Sequence, residues 1–346
     1  MTGADRWRGL ATTSAVGALL AAPVALSIGY GCRAARRDLA RHPLQGSLVD
    51  VGGYSLHART TGLDLPGPVV LFESGLAWPQ DTWAWIQPEV ARIAPTVSYD
   101  RAGLGGSDRG PKPRTARLMV DELDRLLDAI DVPGPYVLVG HSFGGLLVRA
   151  FADRHPDLVA GIVLVDASHP DQFERSRQQR HGLPLMRMQL QQAATAASLG
   201  FNRIFGTPPM AGIQMLPNDD YQRARARMLT AKACRTACDE LEGWVEHVND
   251  EVRQAALPAG CPLAVVTAGD VVDQDPVHGQ LQVELAALST RGTCQRIDGV
   301  DHAGLLTNEA YAVHVTRAVR DVVALARNKV KTNQLSEPSV PHEEKP

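Results

Sequence analysis

The stretch Tyr136-Val137-Leu138-Val139-Gly140-His141-Ser142-Phe143-Gly144-Gly145-Leu146-Leu147-Val148 decides how this chain is read. Tyr136 to Val139 is a short continuous apolar run, the pattern of a buried parallel strand. From Leu146 to Ala152 the apolar spacing and small residues suit a packed helix. Between them Ser142 falls on a tight strand-to-helix turn, with Gly140 two residues before it and Gly144 two after. That is the nucleophile-elbow pattern: the turn strains the serine backbone and crowds it against neighbours that must lack side chains. A bare G-x-S-x-G also arises by chance; the flanking strand and helix set this one apart.

Outward from the elbow the same alternation continues. Ser47–Val51 and Tyr54–Thr60 read as a hairpin closed by Gly52-Gly53. Pro68–Phe72 is a buried strand ending in Glu73-Ser74-Gly75-Leu76, and a tryptophan-rich segment (Trp78, Trp83, Trp85) follows. Thr96–Tyr99 runs into Asp100-Arg101-Ala102-Gly103-Leu104-Gly105, and Thr115–Ile130 has the periodicity of an amphipathic helix. Ile162–Val165 gives another strand, which stops at Asp166. The strand rhythm then lapses until about Gly260. Met186–Ala197 and Asp219–Ala256 read as helices joined by a Gly/Pro-rich piece at Gly206–Gly212. It resumes with Leu263–Ala268, a helix at about Val277–Leu288, a short strand at Gln295–Ile297 and a closing helix at Asn308–Arg327.

Strands alternating with helices predict an α/β fold, a mostly parallel central sheet with helices on both faces. The expected organisation is an N-terminal hydrophobic segment (1–45), a core (46–166 and 260–328), a helical cap insertion (167–259) and a disordered tail (329–346). Such sheets carry their chemistry at the carboxyl ends of the strands, where Ser74-Gly75, Asp100, Ser142 and Asp166 all fall.

The bulk properties exclude more than they assign. At 346 residues, with 44% hydrophobic content, the chain can build a large core; its formal charge of −3, with no basic stripe, argues against nucleic acid. Five scattered cysteines form no disulfide framework, and the sequence lacks a C-x-x-C pair, an H-E-x-x-H zinc helix and a Walker A loop. The uncharged run from Leu10 to Gly31 would span ~33 Å as a helix, enough for a bilayer core. A membrane anchor over 10–31 is therefore expected, with a cleaved signal peptide or a buried helix as alternatives. The arginines after the run lean toward a cytoplasmic catalytic domain; a secreted or cytoplasmic protein is the alternative to membrane association.

A serine hydroxyl becomes a nucleophile only when a histidine takes its proton and an acid fixes and supports the imidazole. Around an elbow the chain order is serine, acid, histidine. Of the histidines after residue 260, His278 and His314 fall on predicted helices and His342 in the tail. His302 alone sits in a Gly-flanked loop between a last strand and a terminal helix, which makes it the candidate base. The neighbouring His141 is expected to point elsewhere. Asp166 is the first candidate for the acid because it abuts its strand without slack, and Asp270 and Asp273 stay open one strand later. Two backbone N–H donors are needed for the developing oxyanion, and Phe143 and Leu76 are placed to supply them.

On Gly140–Gly144, Ser74-Gly75, Asp100–Gly105 and His302, the chain resembles the α/β-hydrolase superfamily over roughly Gly46–Arg327. It is most similar to bacterial members that have an N-terminal hydrophobic segment, a Leu48–Gly53 start and Leu164–His169 after the elbow. The resemblance implies acyl-bond hydrolysis through an acyl-enzyme, esterase- or lipase-like, without metal or organic cofactor; a cofactor-free perhydrolase is a variant. It implies a small or lipid-like acyl substrate and leaves the oligomeric state open. Some branches take the acid from the strand after the elbow helix, and most take it one strand later. Glu73-Ser74 departs from the His-Gly pair that many members carry. A serine at the elbow argues against dehalogenase and epoxide hydrolase chemistry, which place a carboxylate there. The rival reading from another class is a non-catalytic binding or signalling module on the same fold.

Overall fold

The computed structural model describes residues 23–205 and 212–336. Eight strands form one sheet: β1 (Ser47–Asp50), β2 (Ser55–Thr61), β3 (Val69–Glu73), β4 (Thr96–Asp100), β5 (Tyr136–His141), β6 (Val159–Val165), β7 (Leu263–Ala268) and β8 (Gly292–Ile297). Their spatial order is β1-β2-β4-β3-β5-β6-β7-β8. The β1–β2 and β2–β4 pairs are antiparallel and all later pairs are parallel. The sheet is thus the mostly parallel one that the alternation predicted, with an antiparallel hairpin at one edge.

Helices cover both faces, α1 (23–41) and α2 (Gln87–Val90) coming first in the chain, and the period of two along the strands decides which side chain meets which. Leu71, Leu138, Leu164 and Val265 point to the face packed by Leu126 of α3 (Ala116–Ala129) and Phe151 of α4 (Phe143–Arg154). Val70, Val137, Val163 and Val266 point to the other, where α13 (Gly304–Thr307) and α14 (Glu309–Ser336) supply Leu305, Val315, Val319 and Val322. Burial on both faces is why these strands read as continuous apolar runs.

Between β6 and β7 the chain builds a helical layer: α5 (Gln172–Arg175), α6 (Arg177–Ser198), α7 (Asn202–Phe205), α8 (Asn218–Met228), α9 (Ala231–Gly243) and α10 (Asn249–Val252). Helix α6 begins nine residues before the Met186 start that the sequence suggested. Ser176 caps it by accepting the Gln179 N–H at 3.0 Å, and Pro184 is carried within its second turn. The single helical stretch expected over Asp219–Ala256 is interrupted: Thr230 caps a new start at α9, and the chain widens into a π turn over Trp244–Val248. Two short helices, α11 (Gly269–Gln274) and α12 (Pro276–Ala286), link β7 to β8. At the carboxyl end α14 continues to Ser336; the rest of the expected tail, 337–346 with His342, lies outside the described residues.

The expectation of a transmembrane segment is overturned. Among the described residues no helix is long and apolar enough to cross a membrane. The part of the Leu10–Gly31 run that is described belongs to a helix over 23–41, and that helix carries Arg33, Arg36, Arg37, Asp38 and Arg41. Beyond Gly31 this helix is charged rather than apolar. The first 22 residues lie outside the described residues.

Candidate active site

The elbow is built as its glycines require. Ser142 has φ +54° and ψ −124°, a left-handed conformation that costs about 1–3 kcal/mol and persists only where the surroundings enforce it. Here they do. The Ser142 N–H donates to Val165 O at 3.1 Å, and its carbonyl accepts the N–H groups of Gly145 and Ser168 at 2.9 Å each. A Cβ on Gly144 would lie 2.4 Å from Glu73 O, and one on Gly140 would lie 2.7 Å from Gly144 O. Larger residues at either position would push β5, β3 and α4 apart.

Ser142, His302, Gly75 and Leu76 share one cavity of about 300 Å³. Its wall is completed by Trp78, Met186 and Trp244, with Gln172, Gln179 and Ser168 as polar points. Of the three tryptophans singled out in the sequence, only Trp78 lines it. Trp83 is fully buried against Phe72 and donates Nε1–H to Ser74 Oγ at 3.0 Å, and Trp85 donates to Thr307 O at 2.9 Å. The wall on the helical-layer side includes Trp244, which packs on Phe143 at 5.3 Å between ring centroids.

His302 Nδ1–H donates to Asp166 Oδ2 at 2.6 Å. The other carboxylate oxygen accepts Thr267 Oγ1–H at 2.7 Å, the Ala268 N–H at 3.0 Å and His278 Nε2–H at 2.9 Å. Burial alone would raise the Asp166 carboxyl; the bonds and charge attraction from His278 and His302 outweigh it and hold the group well below the usual carboxylate range. Asp166 therefore stays ionised under the imidazole. It also adopts φ +41°, a second strained backbone one residue beyond β6.

The two alternative acids lie elsewhere. Asp270 and Asp273 ride on α11, which begins directly at the end of β7, while the carboxylate bonded to the His302 ring is that of Asp166. Asp273 pairs with Arg296 at 2.8 Å on the exposed surface, and it is Asp166 that meets His302. His141 lines the same cavity as Ser142 and His302. Its ring lies between Trp78 and His302 at centroid distances of 5.1 and 4.6 Å. Burial first, and then the neighbouring His302, push its pKa down to about 3, so it is neutral.

Phe143 opens α4, so its N–H is among the helix donors without an intrahelical acceptor. Leu76 follows Gly75 on the loop after β3, which passes so close to the elbow that a Cβ on Gly75 would lie 3.3 Å from Ser142 Cβ. Sequence reasoning missed two groups at this site. His278 is a second imidazole on Asp166, hidden because it falls on a helix far along the chain. Arg101 with Glu73 and Glu240 forms a buried ionic cluster behind the Gly75 loop; the Glu73-Ser74 departure was its signal.

A family model described as the alpha/beta hydrolase fold matches residues 67–309. An uncharacterized protein of Schizosaccharomyces pombe is 27% identical over 226 residues, 65% of this chain and 41% of that one. The chain spans less than half the length of the curated relatives it matches. Two solved structures show the same fold. Haloalkane dehalogenase DbeA of Bradyrhizobium elkani is 20% identical with a TM-score of 0.64, covering 80% of this chain and 98% of that one. A thermophilic esterase of Thermogutta terrifontis is also 20% identical, with a TM-score of 0.59, covering 82% and 99%.

Proposed function

We propose, for a chain that belongs to the α/β-hydrolase fold family, a serine hydrolase that cleaves a carboxylic ester, thioester or lactone through an acyl-enzyme. The observation that carries this reading is one cavity in which Ser142, strained at its elbow, shares a wall with an imidazole whose far side is held by a buried carboxylate. A serine in that place favours acyl chemistry over the dehalogenation named for some structural neighbours, which calls for a carboxylate at the elbow.

In this scheme Ser142 Oγ attacks the acyl carbon while its proton passes to His302 Nε2. Asp166 supports the imidazolium that forms and keeps Nδ1 protonated. The carbonyl oxygen takes up negative charge and is met by the N–H groups of Phe143 and Leu76. Collapse of the tetrahedral adduct expels the alcohol or thiol, which takes the proton back from His302. A water, deprotonated by the same imidazole, then releases the acid and restores Ser142. The helical layer over 167–259 serves as a cap, and the apolar surfaces of Leu76, Trp78, Met186 and Trp244 suit a small acyl chain.

A fluorophosphonate probe tests the scheme. Folded wild type should be labelled and Ser142→Ala should not; an unlabelled wild type, or label that survives the substitution, would return the chain to the non-catalytic reading. A panel of p-nitrophenyl esters of increasing acyl length then measures what the cavity accepts.

A further inference from the structure

The loop that carries Leu76 closes one turn of its own, in which Trp78 N–H donates to Gly75 O at 3.2 Å, and is braced from behind by side chains. Arg101, directly after β4, is 2% exposed and reaches into the bend behind it. Its Nη1–H donates to Ser74 O at 2.6 Å and its Nη2–H to Gly75 O at 2.8 Å. The same guanidinium donates to Glu73 Oε1 at 2.6 Å, and to Glu240 Oε1 and Oε2 at 2.7 and 3.0 Å. Glu240 comes from α9, a helix of the layer between β6 and β7, and is fully buried. Its Oε2 also accepts the N–H of Ala77 at 3.1 Å, a residue held at φ +63°.

These contacts flank Leu76 on both sides. Gly75 C=O and Leu76 N–H belong to one planar trans peptide and point in opposite directions. A guanidinium that pins the carbonyl on the buried side therefore aims the N–H the other way, toward the face of the loop that lines the cavity. The next peptide is fixed from Ala77 by Glu240. Two ends of a three-residue segment are clamped, and the N–H between them loses its freedom to tilt.

We infer that Glu240 is a positioning residue: a carboxylate of the helical layer that orients the oxyanion loop, directly through Ala77 and indirectly through Arg101. The inference rests on the serine-hydrolase reading, because it assigns Leu76 N–H a task only that chemistry gives it. The choice of ionised groups fits the task. A buried ion pair is a poor way to gain stability when apolar packing would serve, but a planar, bidentate Arg–carboxylate fork fixes direction as well as distance. It also ties the loop to α9.

The variant is Glu240→Gln, which keeps the shape but offers one acceptor oxygen where two are used. With p-nitrophenyl butyrate, and with active sites counted by fluorophosphonate titration, kcat should fall about 10- to 100-fold. KM should stay within about threefold, since ground-state binding does not use the oxyanion N–H. The affinity for a trifluoromethyl ketone, which forms the tetrahedral adduct, should weaken in step with kcat/KM. A merely structural carboxylate predicts a lower Tm with kcat per site and ketone affinity both within about twofold, and that result overturns the inference. Should Glu240→Gln fail to fold, Glu240→Asp keeps the charge and draws it back by one methylene, about 1.5 Å, with the same outcomes read. Wild type that turns over no ester and takes no label would instead sink the hydrolase reading itself.

Discussion

Two buried aspartates stand at the carboxyl ends of strands in one sheet, and each holds a histidine by Nδ1. Asp166, after β6, accepts from His302 at 2.6 Å; Asp100, the last residue of β4, accepts from His57 at 2.7 Å. Both carboxyls lie below their ordinary range for the same reason: burial would raise them, and the imidazole and other hydrogen bonds more than reverse it. On distance the two pairs match, although Asp166 also holds His278 and lies further below its ordinary range. They differ at the far nitrogen. His57 Nε2 is bonded to Gln45 O at 2.9 Å and the ring is 3% exposed, whereas the His302 ring is 41% exposed and faces the cavity beside Ser142. Asp100 spends its remaining capacity on the N–H groups of Gln80 at 2.8 Å and Gly106 at 2.9 Å, which knits two loops to the strand. An Asp–His pair with every nitrogen satisfied is a structural clasp. With its ring open to the cavity that Ser142 lines, the His302 pair is the one the proposed mechanism uses to move a proton.

The largest expected effect comes from neutralising the open pair. Asp166→Asn should lower kcat on an activated ester by about 10⁴-fold, because the amide no longer enforces the tautomer or supports the imidazolium. A kcat within tenfold of wild type would mean that the two pairs are of one kind and that the acid has been misassigned. The closed pair should respond the other way round. Asp100→Asn leaves a buried imidazole and two loop N–H groups short of charge, and urea unfolding should show a loss of about 3–5 kcal/mol. Its kcat per titrated site should stay within about threefold. A catalytic collapse with unchanged stability would dissolve the contrast.

How much of this the sequence could reveal follows from the range of the interactions. Ser142 and His302 are legible because their local settings are distinctive: a strand-to-helix turn between glycines, and a glycine-flanked loop before a terminal helix. The sheet is legible because two-sided burial writes itself as apolar runs. The sequence only ranks the proposed acid, because Asp166 and Asp270 each follow a strand, and what separates them is the long-range bond between Asp166 and His302. Glu240, His278 and His57 carry no local mark. Each meets its partner across 43 residues or more, through the packing of whole elements, and nothing in their neighbours' identities forecasts the contact. The N-terminal run misled for a related reason: its apolar composition was read alone, whereas the helix that contains its described end is defined by the arginines beyond it.

A third histidine sharpens the comparison, because no carboxylate holds it. His141 donates Nε2–H to His302 O at 3.3 Å, and its Nδ1 has no hydrogen-bond partner among the described residues. Burial, and secondarily His302, depress its pKa from 6.5 to about 3. The unfolded chain therefore takes up this proton near pH 6.5 while the folded one refuses it until about pH 3, so acid favours unfolding in that window. Stability owed to a neutral His141 is present in full above pH 6.5 and drains away as the pH falls toward 3. The slope from this group alone is about 1.4 kcal/mol per pH unit. His141→Phe keeps a ring between Trp78 and His302 and removes the titration, so its urea-derived stability should fall less steeply than wild type between pH 6 and 5 by about that amount. Equal slopes would show that His141 accepts a proton in place. The site would then tolerate charge on an imidazole that no carboxylate holds, and the distinction between clasped and open histidines would no longer rest on the carboxylate beneath them.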